Sequence, residues 1–91
     1  MNNIFIIGVG LIGGSFALDI KKLYPKSYVF GIDKREAHLD EAINLKIIDQ
    51  KANFEDLEKA DLVIIAIPVD ATVNVLPKVL DEISDNAIVF D

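Results

Sequence analysis

The chain has no cysteine, a single histidine and no cluster of lysine or arginine. Without cysteine there is no disulfide scaffold and no thiolate zinc site, and the composition fits a reducing compartment. Nine basic residues against fifteen acidic ones leave a formal charge of −6. An acidic chain of this kind lacks the electrostatic footprint of nucleic-acid or anionic-membrane binding. It contains no G-K-[ST] phosphate loop, and no cluster of carboxylates and histidine has metal-ligand spacing. It also has no internal repeat, low-complexity tract or Pro/Gly/Ser-rich linker, so residues 1–91 read as one domain.

What is present is apolar. The 91 residues are 52% hydrophobic, above the roughly 45 to 50% of an ordinary soluble domain. A domain of this size buries only about 60 to 65% of its unfolded surface, so apolar surface is expected to remain for a partner segment. Met1 to Leu18 carries no charge and superficially resembles a signal peptide or a membrane span. It has no positive n-region, however, and it contains Gly8, Gly10, Gly13 and Gly14 before ending at Asp19, short of the roughly 20 residues a span needs. The expectation is a soluble, cytoplasmic protein.

Strand-length apolar runs alternate with helical patterns. Asn3 to Val9, Tyr28 to Asp33, Leu62 to Pro68 and Ala87 to Asp91 are nearly continuous β-branched and aromatic runs, as parallel strands buried on both faces require. A weaker strand near Ile48 to Ala52 belongs at an edge, because Asp49, Gln50 and Lys51 suit no buried centre. Leu11 to Lys22 is a helical pattern with Ile12, Phe16 and Leu23 on its apolar side, stopped at Tyr24-Pro25. In Arg35 to Leu45, Leu39, Ala42, Ile43 and Lys46 recur at helical spacing while Glu36, Asp40 and Glu41 stay wet. A third helix, capped by Asp70, has its apolar positions at Val73, Leu76, Val79, Leu80 and Ile83, with Pro77 set to kink or restart it. This alternation predicts an α/β, Rossmann-type doubly wound parallel sheet of order 3-2-1-4-5, truncated after the fifth strand. A ligand would then lie outside the carboxyl ends of the first and fourth strands.

Gly8-Val9-Gly10-Leu11-Ile12-Gly13 reads G-x-G-x-x-G, a weak pattern alone. Here it follows a strand, opens a helix, and has Asp33 at the end of the second strand, 20 residues after Gly13, which is the dinucleotide-binding arrangement. Gly8 permits the tight turn, Gly10 lets a pyrophosphate approach the backbone, and Gly13 lets the helix pack on the sheet. The free N–H groups of Leu11 and Ile12 point at the phosphates, and Asp33 accepts the adenosine ribose hydroxyls. A carboxylate at that position repels a 2′-phosphate, so NAD is favoured over NADP, although Lys34 and Arg35 could pair with such a phosphate.

Ile67 and Pro68 end the fourth strand beside the expected nicotinamide ribose, and Thr72 is a candidate adenosine contact. Each has an equally good structural account, as a rigid strand exit or a first-turn helix residue. His38 is expected to be a solvated residue on an acidic helix. No histidine is expected near the nicotinamide edge, so the chain can hold a cofactor but shows no catalytic residue and no metal ligand.

Gly8-Val9-Gly10-Leu11-Ile12-Gly13-Gly14-Ser15 resembles the G-x-G-L-I-G-G-S opening of the prephenate and arogenate dehydrogenases. The similarity runs on through Gly31-Ile32-Asp33, Asp40 to Asp49 and Ala60 to Val69. This resemblance implies the oxidative decarboxylation of prephenate to 4-hydroxyphenylpyruvate, on the way to tyrosine, with hydride passed to NAD. It implies further a catalytic His, a substrate-holding Arg and a helical dimerisation domain, none with a matching position here, and a homodimeric full-length enzyme. Asp91 matches the Asp of the family's D-x-G-S-x-K segment. The chain is therefore expected to be the cofactor-binding domain of such an enzyme, inactive alone. The alternatives are an arogenate dehydrogenase or a non-catalytic NAD-binding regulatory module.

Overall fold

Side chains that branch at Cβ or carry rings favour extended backbone, and when every position is apolar both faces of the resulting sheet must be covered. The computed structural model, which describes residues 3–67, 69–84 and 87–90, shows this arrangement. Asn3–Ile7 (β1), Tyr28–Ile32 (β2), Gln50–Lys51 (β3), Leu62–Ile65 (β4) and Ile88–Phe90 (β5) form one sheet. Every pairing is parallel, and the order is β3-β2-β1-β4-β5. Between the strands lie Leu11–Leu23 (α1), Glu36–Asn44 (α2), a 3-10 helix over Phe54–Lys59 and Val69–Glu82 (α3).

Alternate residues of β1 feed two separate cores. Ile4 and Ile6 join Ala17 of α1, Leu39 and Ala42 of α2, Val29 and Ile64 on one face. Phe5 and Ile7 join Leu57 of the 3-10 helix, Val79 of α3, Phe30, Ile32, Val63 and Ile65 on the other. Phe5 pairs in register with Phe30 and Val63, and the Phe5 and Phe30 rings stack at 4.4 Å. The sheet is thus doubly wound.

Several expected boundaries and faces differ. β1 stops at Ile7 because Gly8 turns to φ +90, and β4 stops at Ile65. The edge strand shrinks to Gln50–Lys51. Beside it the Asp49 carboxylate accepts the Val29 N–H at 2.8 Å and pairs with Lys21 at 2.7 Å. Lys46 does not continue the apolar face of α2. It takes φ 59 just past the helix end, where its N–H bonds the Ile43 carbonyl at 3.0 Å and the Ile47 N–H bonds the Ala42 carbonyl at 2.8 Å, a Schellman closure.

Leu23 and Leu80 are 72% and 55% exposed rather than buried. Leu23 is the last residue of α1, and neither leucine joins the cores beneath the sheet. Asp70 is not a cap, because Val69 before it is already helical, whereas a cap residue is not. α3 runs through Pro77 as one helix, neither broken nor restarted there.

Candidate functional site

Because β1 lies between β2 and β4, the chain leaves it at the point where strand order reverses, and a crevice opens at the carboxyl ends. A cavity of about 1100 Å³ occupies that crevice. Ile7 and the following Gly8 line it at the end of β1, Ile32 with Asp33 and Lys34 at the end of β2, and Ala52 and Asn53 just past β3. Ile67 lines it beyond β4, and Asn74, Val75 and Lys78 line it from α3.

The glycine turn is held by contacts that admit no side chain. A Cβ on Gly8 would meet Ile67 Cγ2 at 2.6 Å and the Ala66 carbonyl oxygen at 2.8 Å. Gly8 also donates its N–H to the Ile32 carbonyl at 2.7 Å, which ties the turn to the end of β2. Gly10 is different. Among the described residues a Cβ there would meet nothing within 4 Å, so none of their packing requires glycine, and the free space opens at the start of α1. Leu11 and Ile12 open that helix, which begins right after Gly10, and among the described residues no side chain caps it. A capless helix start offers N–H donors and positive potential to an anion.

Asp33 lies at the exit of β2, with its side chain 9% exposed. Its Oδ2 accepts the Val9 N–H at 3.0 Å and its Oδ1 accepts the Arg35 N–H at 2.9 Å. The first bond ties β2 to the glycine turn, and the second starts α2 with an Asx turn. Burial would push this carboxyl up. The hydrogen bonds from Arg35 and Val9, followed by the nearby His38, outweigh that and hold it below its ordinary value. Asp33 therefore stays ionised at neutral pH, with only acceptor capacity.

The His38 ring stays partly exposed and makes a contact that the sequence reading did not include, its Nδ1 lying 3.1 Å from Asp33 Oδ2. Helical side chains lean toward the helix start, so a histidine in the first turn of α2 reaches back to the strand that precedes it. The Asx turn at Asp33-Lys34-Arg35 was the sequence signal that could have revealed it. Lys34 and Arg35 are exposed, and Lys34 lines the cavity. Thr72 has helical backbone within α3; its side chain, those of Leu11 and Ile12, and the whole of Pro68 lie outside the described residues. Asn74, Val75, Lys78 and Phe54 also face the cavity, although the sequence motif does not mark them.

No group of three metal-ligating side chains occurs among the described residues. Among those residues, no helix is long and apolar enough to cross a membrane. The arrangement combines an anion site at a helix start, open space over Gly10 and a fixed carboxylate at the next strand end, parts suited to a ribose joined to phosphate.

Comparison with known proteins agrees. The family model of the prephenate dehydrogenase nucleotide-binding domain matches residues 16–91. A prephenate dehydrogenase of Lactococcus lactis is 36% identical over 93 aligned positions, spanning 100% of this chain and 26% of that protein. One from Bacillus subtilis is 40% identical over 77, spanning 82% and 21%. The A. aeolicus prephenate dehydrogenase, solved with hydroxyphenyl propionate and NAD+, superposes with a TM-score of 0.89 at 31% identity, over 98% of this chain and 32% of that one. The chain spans about a quarter of the length of its curated relatives. With its doubly wound sheet, its glycine turn and the carboxylate that closes over it, this chain belongs to the family of prephenate dehydrogenase nucleotide-binding domains.

Proposed function

We propose that this chain, as a domain spanning residues 1–91, binds NAD for a cytoplasmic, homodimeric enzyme that oxidatively decarboxylates prephenate to 4-hydroxyphenylpyruvate. The observation that carries the reading is the Asp33 carboxylate, kept ionised and pinned at the crevice by two backbone N–H groups. In that position it accepts the adenosine ribose hydroxyls and repels a 2′-phosphate, which favours NAD over NADP. Gly8 and Gly13 shape the turn, Gly10 leaves room for the pyrophosphate, and the N–H groups of Leu11 and Ile12 meet it. Lys34 and Arg35 flank the adenosine. Ile67 and Pro68 would meet the nicotinamide ribose, and Thr72 the adenosine. Bound there, the cofactor supplies a hydride acceptor. The proton-handling and substrate-holding groups come from the rest of the enzyme. Prephenate is preferred to arogenate because the two curated relatives are prephenate dehydrogenases.

Calorimetric titration of the protein with NAD and NADP tests the reading. NAD should bind more tightly, and Asp33→Ala should weaken it by about 1.5 to 3 kcal/mol, the contribution of hydrogen bonds to a charged group. Tighter binding of NADP would overturn the NAD assignment. A second assay mixes the 91-residue chain with NAD and prephenate and follows absorbance of the reduced cofactor. No turnover is expected, and turnover would refute the division of labour.

A further inference from the structure

A carboxylate offers two lone pairs on each oxygen. Oδ2 of Asp33 uses both of its pairs, accepting the Val9 N–H at 3.0 Å and His38 Nδ1 at 3.1 Å. Oδ1 accepts the Arg35 N–H at 2.9 Å and keeps one pair. An ionised carboxylate only accepts, so the hydrogen of the His38 contact sits on Nδ1. The histidine side chain is 39% exposed and the aspartate 9%, so the ring stands on the solvent side of the pair.

Around the ring, α1 contributes Gly14, Ser15 and Leu18 across a smaller cavity of about 270 Å³, and none of these titrates in the neutral range. Its own helix contributes Glu41 to the same cavity. Lys34, Arg35 and Glu36 follow Asp33 on the connection into α2, and Lys51 holds Glu36 at 2.6 Å. Lys51 also pairs with Asp40. Imidazole is thus the group beside Asp33 whose ordinary charge change falls between about pH 5 and 8.

We propose that His38 is a specificity-determining residue, whose charge decides how strongly Asp33 excludes a phosphate on the adenosine ribose. With the ring neutral, the carboxylate presents its full charge to the crevice. With the ring protonated, the two form an ion pair of no net charge, and the barrier to a 2′-phosphate falls. This rests on the NAD reading above.

The test is calorimetry of the protein with NAD and NADP at about pH 5.5 and about pH 8, repeated on His38→Gln, which keeps a donor but no titratable charge. The 2′-phosphate itself titrates near pH 6, equally for both proteins, so the difference between them is the quantity read. On acidification the ratio Kd(NADP)/Kd(NAD) should fall about fivefold further in the wild type. His38→Asn, checked by circular dichroism, repeats the comparison in a second variant. Equal pH dependence in wild type and variants with NAD binding intact overturns the assignment of His38 alone. A wild type that binds neither cofactor overturns the NAD reading and this inference with it.

Discussion

A Cβ on Gly13 would stand 1.8 Å from the carbonyl oxygen of Gly8, so the first turn of α1 and the exit of β1 touch backbone to backbone. Forcing a methyl group into that contact means moving main chain, and overpacking typically destabilises by about 1 to 3 kcal/mol. Gly13→Ala should fall at or beyond the upper end of that range. Its neighbour should behave oppositely. A Cβ on Gly14 meets Ile47 Cδ1 at an ordinary 3.6 Å, and alanine is favoured over glycine inside a helix by up to about 1 kcal/mol. Thermal denaturation of the two single variants should separate them in sign.

Gly10→Val should leave the fold intact, because the position is open and its φ of −69 with ψ of −157 is extended backbone that valine accepts. NAD binding should be lost, since the branched side chain fills the space over the helix start. Circular dichroism and calorimetry on one sample check both halves. A Gly10→Val protein that binds NAD as the wild type does would reduce the motif to packing.

The Asp33 carboxyl has a lower pKa in the folded chain than its ordinary value. Its stabilisation is therefore complete above the unfolded value of about 3.9 and is lost as pH falls through the lower folded one. Urea denaturation between about pH 5 and about pH 2 should show the wild type losing more stability than Asp33→Asn, which has no proton to take up.

Pro77 stands inside α3 and its side chain is exposed. Proline in a helix interior removes one backbone hydrogen bond and crowds the preceding turn, at about 3 kcal/mol relative to alanine. Pro77→Ala should raise the melting temperature, by an amount corresponding to about 1 to 3 kcal/mol. An unchanged or lowered melting temperature would show that α3 has already adapted to the ring.

The strand order, the two-faced burial, the tight turn at Gly8 and the close packing at Gly13 were legible because each follows from a local rule: apolar runs, alternation with helices, and glycine spacing. Strand ends were less so. Val9 is as apolar as Ile7, yet β1 ends where Gly8 takes φ +90, which is a backbone event rather than a change in hydropathy. Lys46 in left-handed geometry and Asp49 bonding to β2 through its side chain are likewise invisible to periodicity. Helical spacing assigned Leu23 and Leu80 to the core, but spacing carries no information about where the covering sheet runs out. His38 was missed for a related reason. Glu36, Asp40 and Glu41 of its helix are exposed acids, while its partner Asp33 lies just past the preceding strand.

The bond from Val9 to Asp33 spans 24 positions and joins the two ends of a single strand–helix–strand unit. Turn, capless helix, carboxylate and histidine therefore all occur between Gly8 and His38, on one uninterrupted stretch of polypeptide. Adenosine preference should behave as a portable trait, transferable to a related domain by exchanging that stretch while β4, α3 and their core stay native.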